Sequence, residues 1–251
     1  MYNTEYTLVG NAAEKKLAFY QKNKGAYFVS SMLGGFYIGI CMVTIVVMAG
    51  FLPGFGGIKI LQGISFVAGM SLVVFAGAEL FTGNVFVMTA GTLLKVIKPR
   101  NAIQVCVYSY LGNLAGSMLI GALFWGTGYL QGYIQDAAQA AMYGKTNPLF
   151  MQILWRAVLC NILVCASIWC SYKTKSDAAK LIMIFWCIFL FIFNSFEHSI
   201  ANMTLFSMEI FAAYSLVSIK GVLLNLAAAT VGNTIGGMVL ALSYGILAKK
   251  S

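Results

Sequence analysis

The sequence predicts an all-α integral membrane protein with six crossings in two inverted three-span repeats. The second and fifth crossings are broken. Three observations carry this reading. Of 251 residues, 60% are hydrophobic and 9% charged, against roughly 25% charged in a soluble domain. Apolar stretches approaching the ~20 residues that cross a bilayer recur six times. Two pairs of short motifs also repeat at nearly one offset.

A 27.2 kDa soluble chain could not hide this much apolar surface, and the mean hydropathy of +0.84 agrees. Disorder and nucleic-acid wrapping are excluded despite a net charge of +9. Basic balance in so apolar a chain points to lipid headgroups and an oriented protein. Charge-free windows locate the crossings at roughly 27–50, 60–97, 101–127, 148–171, 179–215 and 221–247. The second and fifth are too long and too interrupted for simple helices. The connection after the third crossing reads as an outer loop. Residues 1–26 read as a basic amphipathic arm, helical from Leu8 to Tyr20, with no cleavable signal peptide expected. Residues 27–251 form one transmembrane unit, with repeats over roughly 27–127 and 148–247.

Lys and Arg set the orientation. With both termini in the cytoplasm, 12 lie inside: Lys15, Lys16, Lys22, Lys24, Lys95, Lys98, Arg100, Lys173, Lys175, Lys180, Lys249 and Lys250. The outer loops hold only Lys59, Lys145 and Lys220. This asymmetry follows the positive-inside rule, so most of the net charge records topology. A bacterial-type inner membrane is the expected location. The six cysteines lie in apolar spans without a C-x-x-C spacing. They read as small buried hydrophobes, and no metal or cofactor is expected.

Gly112-Asn113-x-x-Gly116 in the third crossing reappears as Gly232-Asn233-x-x-Gly236 in the sixth, and Glu79-x-x-x-x-Asn84 in the second reappears as Glu197-x-x-x-x-Asn202 in the fifth. A repeat of three spans is odd, so its second copy starts from the opposite side. The Gly-x-x-x-Gly spacings also let helices approach closely.

The Glu-Asn pairs mark the two breaks. In each, the apolar run stops at an ionisable residue, which costs ~2.5–3.5 kcal/mol at mid-depth, beside residues that favour a non-helical turn. Irregular backbone at that depth survives only in protein or beside a watery cavity. Matched broken helices are therefore the best sequence pointer to a midplane pathway. The restarting half-helices aim positive dipole ends at it, which favours an anion.

His198, the single histidine, lies in the fifth-crossing break. A packing role is the bland alternative to a pore role. Its chemistry suits proton exchange, since an unperturbed imidazole titrates near ~6.5. Thr82 can orient a permeant ion opposite it. Glu79 and Glu197 are expected to accept backbone N–H bonds that shape the breaks, or less readily to touch substrate. Asn84 and Asn202 are expected to stabilise the turns. Asn161, deep in the fourth crossing, needs a partner. Lys145 reads as a solvated loop charge or as an attractor for an anion.

The segments Gly77-Ala78-Glu79-Leu80-Phe81-Thr82-Gly83-Asn84, Phe196-Glu197-His198-Ser199-Ile200-Ala201-Asn202-Met203 and Arg156-Ala157-Val158-Leu159-Cys160-Asn161 resemble the formate/nitrite transporter family. Members often carry Gly where Ala157 stands. The resemblance implies an aquaporin-like protomer, a homopentamer in the lipid bilayer, and transport of small monovalent anions such as formate, nitrite, hydrosulfide, acetate or lactate. Overall likeness leans to the hydrosulfide-channel branch. By motif position the resemblance makes His198 the central pore histidine, with Thr82 facing it. Lys145 and Asn161 tune the histidine's environment. Leu80 and Phe191, with Phe66 and Met70, form hydrophobic constrictions.

The mechanism expected from cost is that the anion is drawn in near Lys145, takes a proton at His198 or through water, and crosses as the neutral acid. A water or neutral-solute channel shares the architecture, but the paired Asn-Pro-Ala boxes of aquaporins are absent. A potassium filter is absent too. An enzyme would need a nucleophile with a placed base, and none is evident.

Overall fold

The computed structural model describes residues 2–213 and 217–249. Ten helices are found among them: α1 (Asn3–Lys22), α2 (Lys24–Phe51), α3 (Ile58–Phe75), α4 (Phe81–Leu93), α5 (Pro99–Gly126), α6 (Gly132–Thr146), α7 (Phe150–Lys173), α8 (Asp177–Phe193), α9 (Ser199–Ala213) and α10 (Ile219–Lys249). Five of these, α2, α3, α5, α7 and α10, are long and apolar enough to cross a membrane. Local chemistry sets several boundaries. Asn23 caps α2 by accepting from the Ala26 N–H, and Ser176 caps α8 by accepting from the Ala179 N–H, each satisfying an otherwise orphan donor. Pro99 starts α5, where its missing N–H costs nothing.

Packing follows a repeated scheme. The most extensive contacts are α7 on α10 and α2 on α5. Both rest on glycines that let backbones touch. A Cβ at Gly35 of α2 would lie 2.0 Å from the Asn113 carbonyl oxygen, and one at Gly116 of α5 would lie 1.9 Å from that of Met32. In α10 a Cβ at Gly236 would lie 2.4 Å from the Val158 carbonyl oxygen of α7.

The structure corrects several boundaries. The expected outer loop after the third crossing contains α6, whose Ile134, Ala138 and Met142 are buried. The i, i+4 spacing of those three gives α6 an apolar stripe, so Lys145 is on the last turn of a packed helix. The arm helix is longer than Leu8–Tyr20 and runs straight into α2 at Lys24, interrupted only at Asn23. Its Val9 and Ala13 are fully buried, and Tyr6 donates to the Ala241 carbonyl of α10 at 2.9 Å, so the arm is part of the packed body. Residues 214–215 of the fifth crossing, and Lys250 among the inside cations, lie outside the described residues.

The positions of the expected breaks also shift. The non-helical connections between α3 and α4 and between α8 and α9 fall at residues 76–80 and 194–198. Thr82, Gly83 and Asn84 form the first turn of α4, and Ser199 to Asn202 the first turn of α9. The turn-forming residues expected at the breaks instead open the restarting helices.

Candidate functional site

The two breaks are built alike. After α3, Gly77 takes φ +78° and the Ala78 N–H reaches back to the Val73 carbonyl at 2.9 Å. After α8, Ser195 takes φ +55° and the Phe196 N–H reaches back to the Phe191 carbonyl at 3.0 Å. Both are left-handed helix terminations. Glycine adopts that conformation freely, whereas Ser195 does so at a cost. The next residue of each break is tied to a neighbouring helix: Glu79 N–H donates to the Ser30 carbonyl at 3.2 Å, and Glu197 N–H to that of Arg156 at 3.4 Å.

A mid-helix asparagine then pins each break. Asn113 of α5 accepts from the Phe81 N–H at 2.8 Å and donates to the carbonyls of Ser31, at 2.6 Å, and Glu79, at 2.8 Å. Asn233 of α10 accepts from the Ser199 N–H and donates to the carbonyls of Ala157 and Glu197, each at 2.9 Å. Each amide supplies the missing partner of a helix's first N–H and of a carbonyl at the break. Sequence reasoning read Gly112-Asn113 and Gly232-Asn233 as a repeat and did not assign these side chains a role.

The glutamates are held by side chains, which corrects the expectation that they accept backbone N–H bonds. Glu79 Oε2 accepts from Lys16 Nζ at 2.7 Å and from the Tyr27 hydroxyl at 3.0 Å, and Asn84 Nδ2 donates to that hydroxyl at 3.0 Å. Glu197 Oε1 is 3.0 Å from Lys145 Nζ. Its Oε2 accepts from Asn202 at 2.7 Å and from Asn225 at 3.4 Å. The nearest helix-starting N–H groups, of Phe81 and Ser199, go to Asn113 and Asn233 instead. Lys145 is thus an ion-pair partner of Glu197, and neither alternative drawn from the sequence anticipated that. Lys16, Tyr27 and Asn225 were missed, since nothing near them in sequence marks a site.

His198 is 2% exposed. Its Nδ1 accepts from the Ala201 N–H at 3.2 Å, on the first turn of α9. The neutral ring therefore carries its proton on Nε2, which donates to Thr82 Oγ1 at 3.0 Å. This bond joins α4 to the connection between α8 and α9. Asn161 Nδ2 donates to the Thr82 carbonyl at 3.2 Å and to that of Asn233. Its buried Oδ1 has no partner among the described residues.

Two cavities approach this centre and share no lining residue. One, of about 340 Å³, opens beside the arm, with Lys16, Glu79 and Lys180 on its wall and Leu80 and Met70 lining it. The other, of about 140 Å³, is reached past Lys59 and Lys145, with Phe66, Phe191 and His198 lining it. The Phe66 and Phe191 rings meet edge-on at 5.5 Å, and Phe191 stacks on the His198 ring at 5.8 Å. Leu80, Met70, Phe66 and Phe191 are each at most 3% exposed. The arrangement brings together His198, Thr82, Asn161, Leu80 and Phe191, and it sets the two glutamates one on each side. Among the described residues, no group of three His, Cys, Asp or Glu side chains could hold a metal ion. All six cysteines are free.

The family model described as Formate/nitrite transporter matches residues 4–246. The chain belongs to the formate/nitrite transporter family. As a family member, it is 34% identical over 220 residues to the nitrite transporter NirC of Escherichia coli, covering 86% of this chain and 81% of that one. It is 30% identical to the formate channel FocA of the same organism, over 88% and 85% of the two chains. Among solved structures, an FNT family ion channel superposes with TM-score 0.92 at 30% identity, covering 97% of this chain and 98% of that one. A pentameric formate channel with formate bound superposes with TM-score 0.80 at 26% identity, covering 96% and 99%. The chain is thus a membrane-spanning channel or transporter of the formate/nitrite family, built for small anions.

Proposed function

We propose that this chain conducts the monovalent anions of small weak acids, with nitrite, formate and hydrosulfide as candidates, by transient protonation at His198. The observation that carries the reading is the buried His198–Thr82 bond, 3.0 Å long, which joins the two broken segments between separate cavities. Nitrite and formate are supported by the names of NirC and FocA. Hydrosulfide rests on the sequence resemblance. The pentameric relative supports a homopentamer with one pore per protomer.

The topology that fits is six crossings, with α3–α4 and α8–α9 as the broken second and fifth. The inverted repeat is supported by the recurrence of the break contacts in the same chain order at similar offsets, such as those of Asn113 and Asn233. Both termini are assigned to the cytoplasm of a cell inner membrane by the distribution of Lys and Arg.

The chemistry follows from cost. Carrying an anion past the Phe66–Phe191 pair and past Leu80 with no compensating charge is strongly disfavoured, whereas the conjugate acid passes. In the resting protein the ring is neutral, because Nδ1 is engaged by Ala201. Taking up a proton from cavity water requires Nδ1 to release that bond. The resulting imidazolium carries N–H on both nitrogens. When Thr82 swings aside, Nε2 gives its proton to the anion. The neutral acid moves on, and the ring keeps the other proton on Nδ1. Return to the resting state moves that proton back to Nε2 through water. Beyond the constriction, the acid releases its proton to the far cavity.

Proteoliposome swelling in formate, nitrite, hydrosulfide and glycerol tests the substrate class. The expected result is rapid flux of the three weak-acid anions and none of glycerol. Glycerol flux without anion flux would replace this reading with an aquaporin-like channel for neutral solutes.

A further inference from the structure

We infer that Lys59, and not Lys145, supplies the electrostatic capture of the anion at the cavity that leads to His198. This rests on the channel reading above. The lysines lining the two cavities differ in their pairing. Beside the arm, Lys16 is paired with Glu79 at 2.7 Å, and Lys180 with Asp177 at 2.9 Å. In the opposite cavity, Lys145 is paired with Glu197 at 3.0 Å. Its ammonium is already partnered by that carboxylate. Lys59, on the first turn of α3, lines the same cavity, is exposed, and makes no ion pair among the described residues.

The surroundings make this one charge decisive. Lys59, Lys145, Lys220 and Arg156 face Asp136, Glu197 and Glu209 at this end, but Arg156, exposed on α7, and Lys220 lie outside the lining of the cavity. Glu209 is fully buried and takes both its hydrogen bonds from Gln135 of α6, at 3.1 Å each, with no cation beside it. Among the described residues, the lining of this cavity therefore holds no second unpaired cation to stand in for Lys59. The other end has a large surplus of cations in the arm and in the α4–α5 and α7–α8 connections. A single unpaired ammonium at a low-dielectric mouth focuses its field into the cavity and raises the local anion concentration and entry rate. The part played by Lys145 is structural. With Asn202 and Asn225 it holds the Glu197 carboxylate and hence the break beside His198.

The test is equilibrium exchange of radiolabelled formate across proteoliposomes, a measurement independent of protein orientation in the bilayer. Formate is kept below saturation and ionic strength is set with sodium gluconate. Lys59→Gln, Lys59→Glu and Lys220→Glu are compared with wild type. Lys220 is exposed, at the start of α10, and outside the lining of the cavity. At about 0.01 M ionic strength, where the screening length is about 30 Å, Lys59→Glu is expected to lose roughly 10-fold in exchange rate, with Lys59→Gln intermediate. Near 1 M, where that length is about 3 Å, all variants are expected to converge on wild type. Lys220→Glu is expected to track wild type throughout. Wild-type rates in Lys59→Glu at low salt, a loss that salt does not relieve, or an equal loss in Lys220→Glu would each overturn the role of Lys59. A wild-type protein that passes neither formate, nitrite nor hydrosulfide would overturn the channel reading itself, and the role of Lys59 with it.

Discussion

Thr82 carries more of the site than its size suggests. Its hydroxyl accepts from His198, its carbonyl accepts from Asn161, and it is fully buried. Thr82→Val keeps the shape and removes the acceptor, which leaves the His198 N–H unpartnered at a cost of about 1–3 kcal/mol. The expected outcome is a loss of formate flux of roughly tenfold or more, with Thr82→Ser close to wild type. Unchanged flux in Thr82→Val would show that the hydroxyl does not orient the ring. The sequence pointed to Thr82 and His198 because each stands where an apolar run fails. It could not show that Lys145 and Glu197 are partners, because 52 positions separate them and only the packing of α6 brings them together. Lys16 and Glu79 were hidden in the same way, since a basic arm residue looks like any other topological charge.

Among the elements, the strongest structural statement concerns the two asparagines that pin the breaks. Each makes three hydrogen bonds to backbone groups, one to a helix's first N–H, one to a carbonyl at the break and one to a carbonyl of a neighbouring helix. At a net ~1 kcal/mol per bond, Asn113→Ala and Asn233→Ala should each destabilise the folded protein by about 3 kcal/mol. Both should lower the thermal transition of the detergent-purified protein, and by similar amounts. An unmoved transition in either would show that the break holds its shape without the amide. These residues were visible in the sequence as a repeat but not as a function. A Gly-Asn pair in an apolar helix fits close packing equally well, and only the contact across to α4 or α9 separates the two. The exact break positions were not legible either. Thr, Gly and Asn favour turns in isolation, but they also suit the first turn of a helix, and the left-handed Gly77 and Ser195 end α3 and α8 earlier. Ser195 gave no signal, since serine in that conformation goes against its own preference. The helix α6 was overlooked for a plainer reason. Gly and Gln dominate its surroundings, and its apolar stripe of Ile134, Ala138 and Met142 is narrow.

Across the whole molecule, the amphipathic arm is joined to both halves of the chain. Lys16 reaches Glu79, Tyr6 reaches α10, and Glu5 pairs with Lys173 of α7 at 2.7 Å. The hydrogen bond from Lys173 holds the Glu5 carboxyl below its ordinary value of 4.5. A carboxyl lowered in this way contributes its stabilisation above the unfolded value and loses it as pH falls through the folded one. Hydrogen-exchange protection of residues 3–22 is therefore expected to hold at neutral pH and to weaken in acid below 4.5. Glu5→Gln should show the weakened level already at neutral pH. Identical protection in Glu5→Gln and wild type at neutral pH would separate the arm's docking from this pair.

The membrane class and the all-helical fold were legible from hydropathy, because the bilayer forces that pattern onto any chain that crosses it as helices. The pairing of charges across the breaks was not, because it depends on how the halves pack. The central claim is that His198 moves a proton onto the passing anion rather than merely offering it a positive field. The direct measurement is flux of formate and of chloride, the anion of a strong acid, through wild type and His198→Ala in proteoliposomes, with oligomer size checked by gel filtration. The account predicts that formate flux falls at least tenfold in the variant while the small chloride flux is unchanged, so that the formate-to-chloride ratio collapses. Equal fractional loss of both anions, or no loss of either, would contradict it.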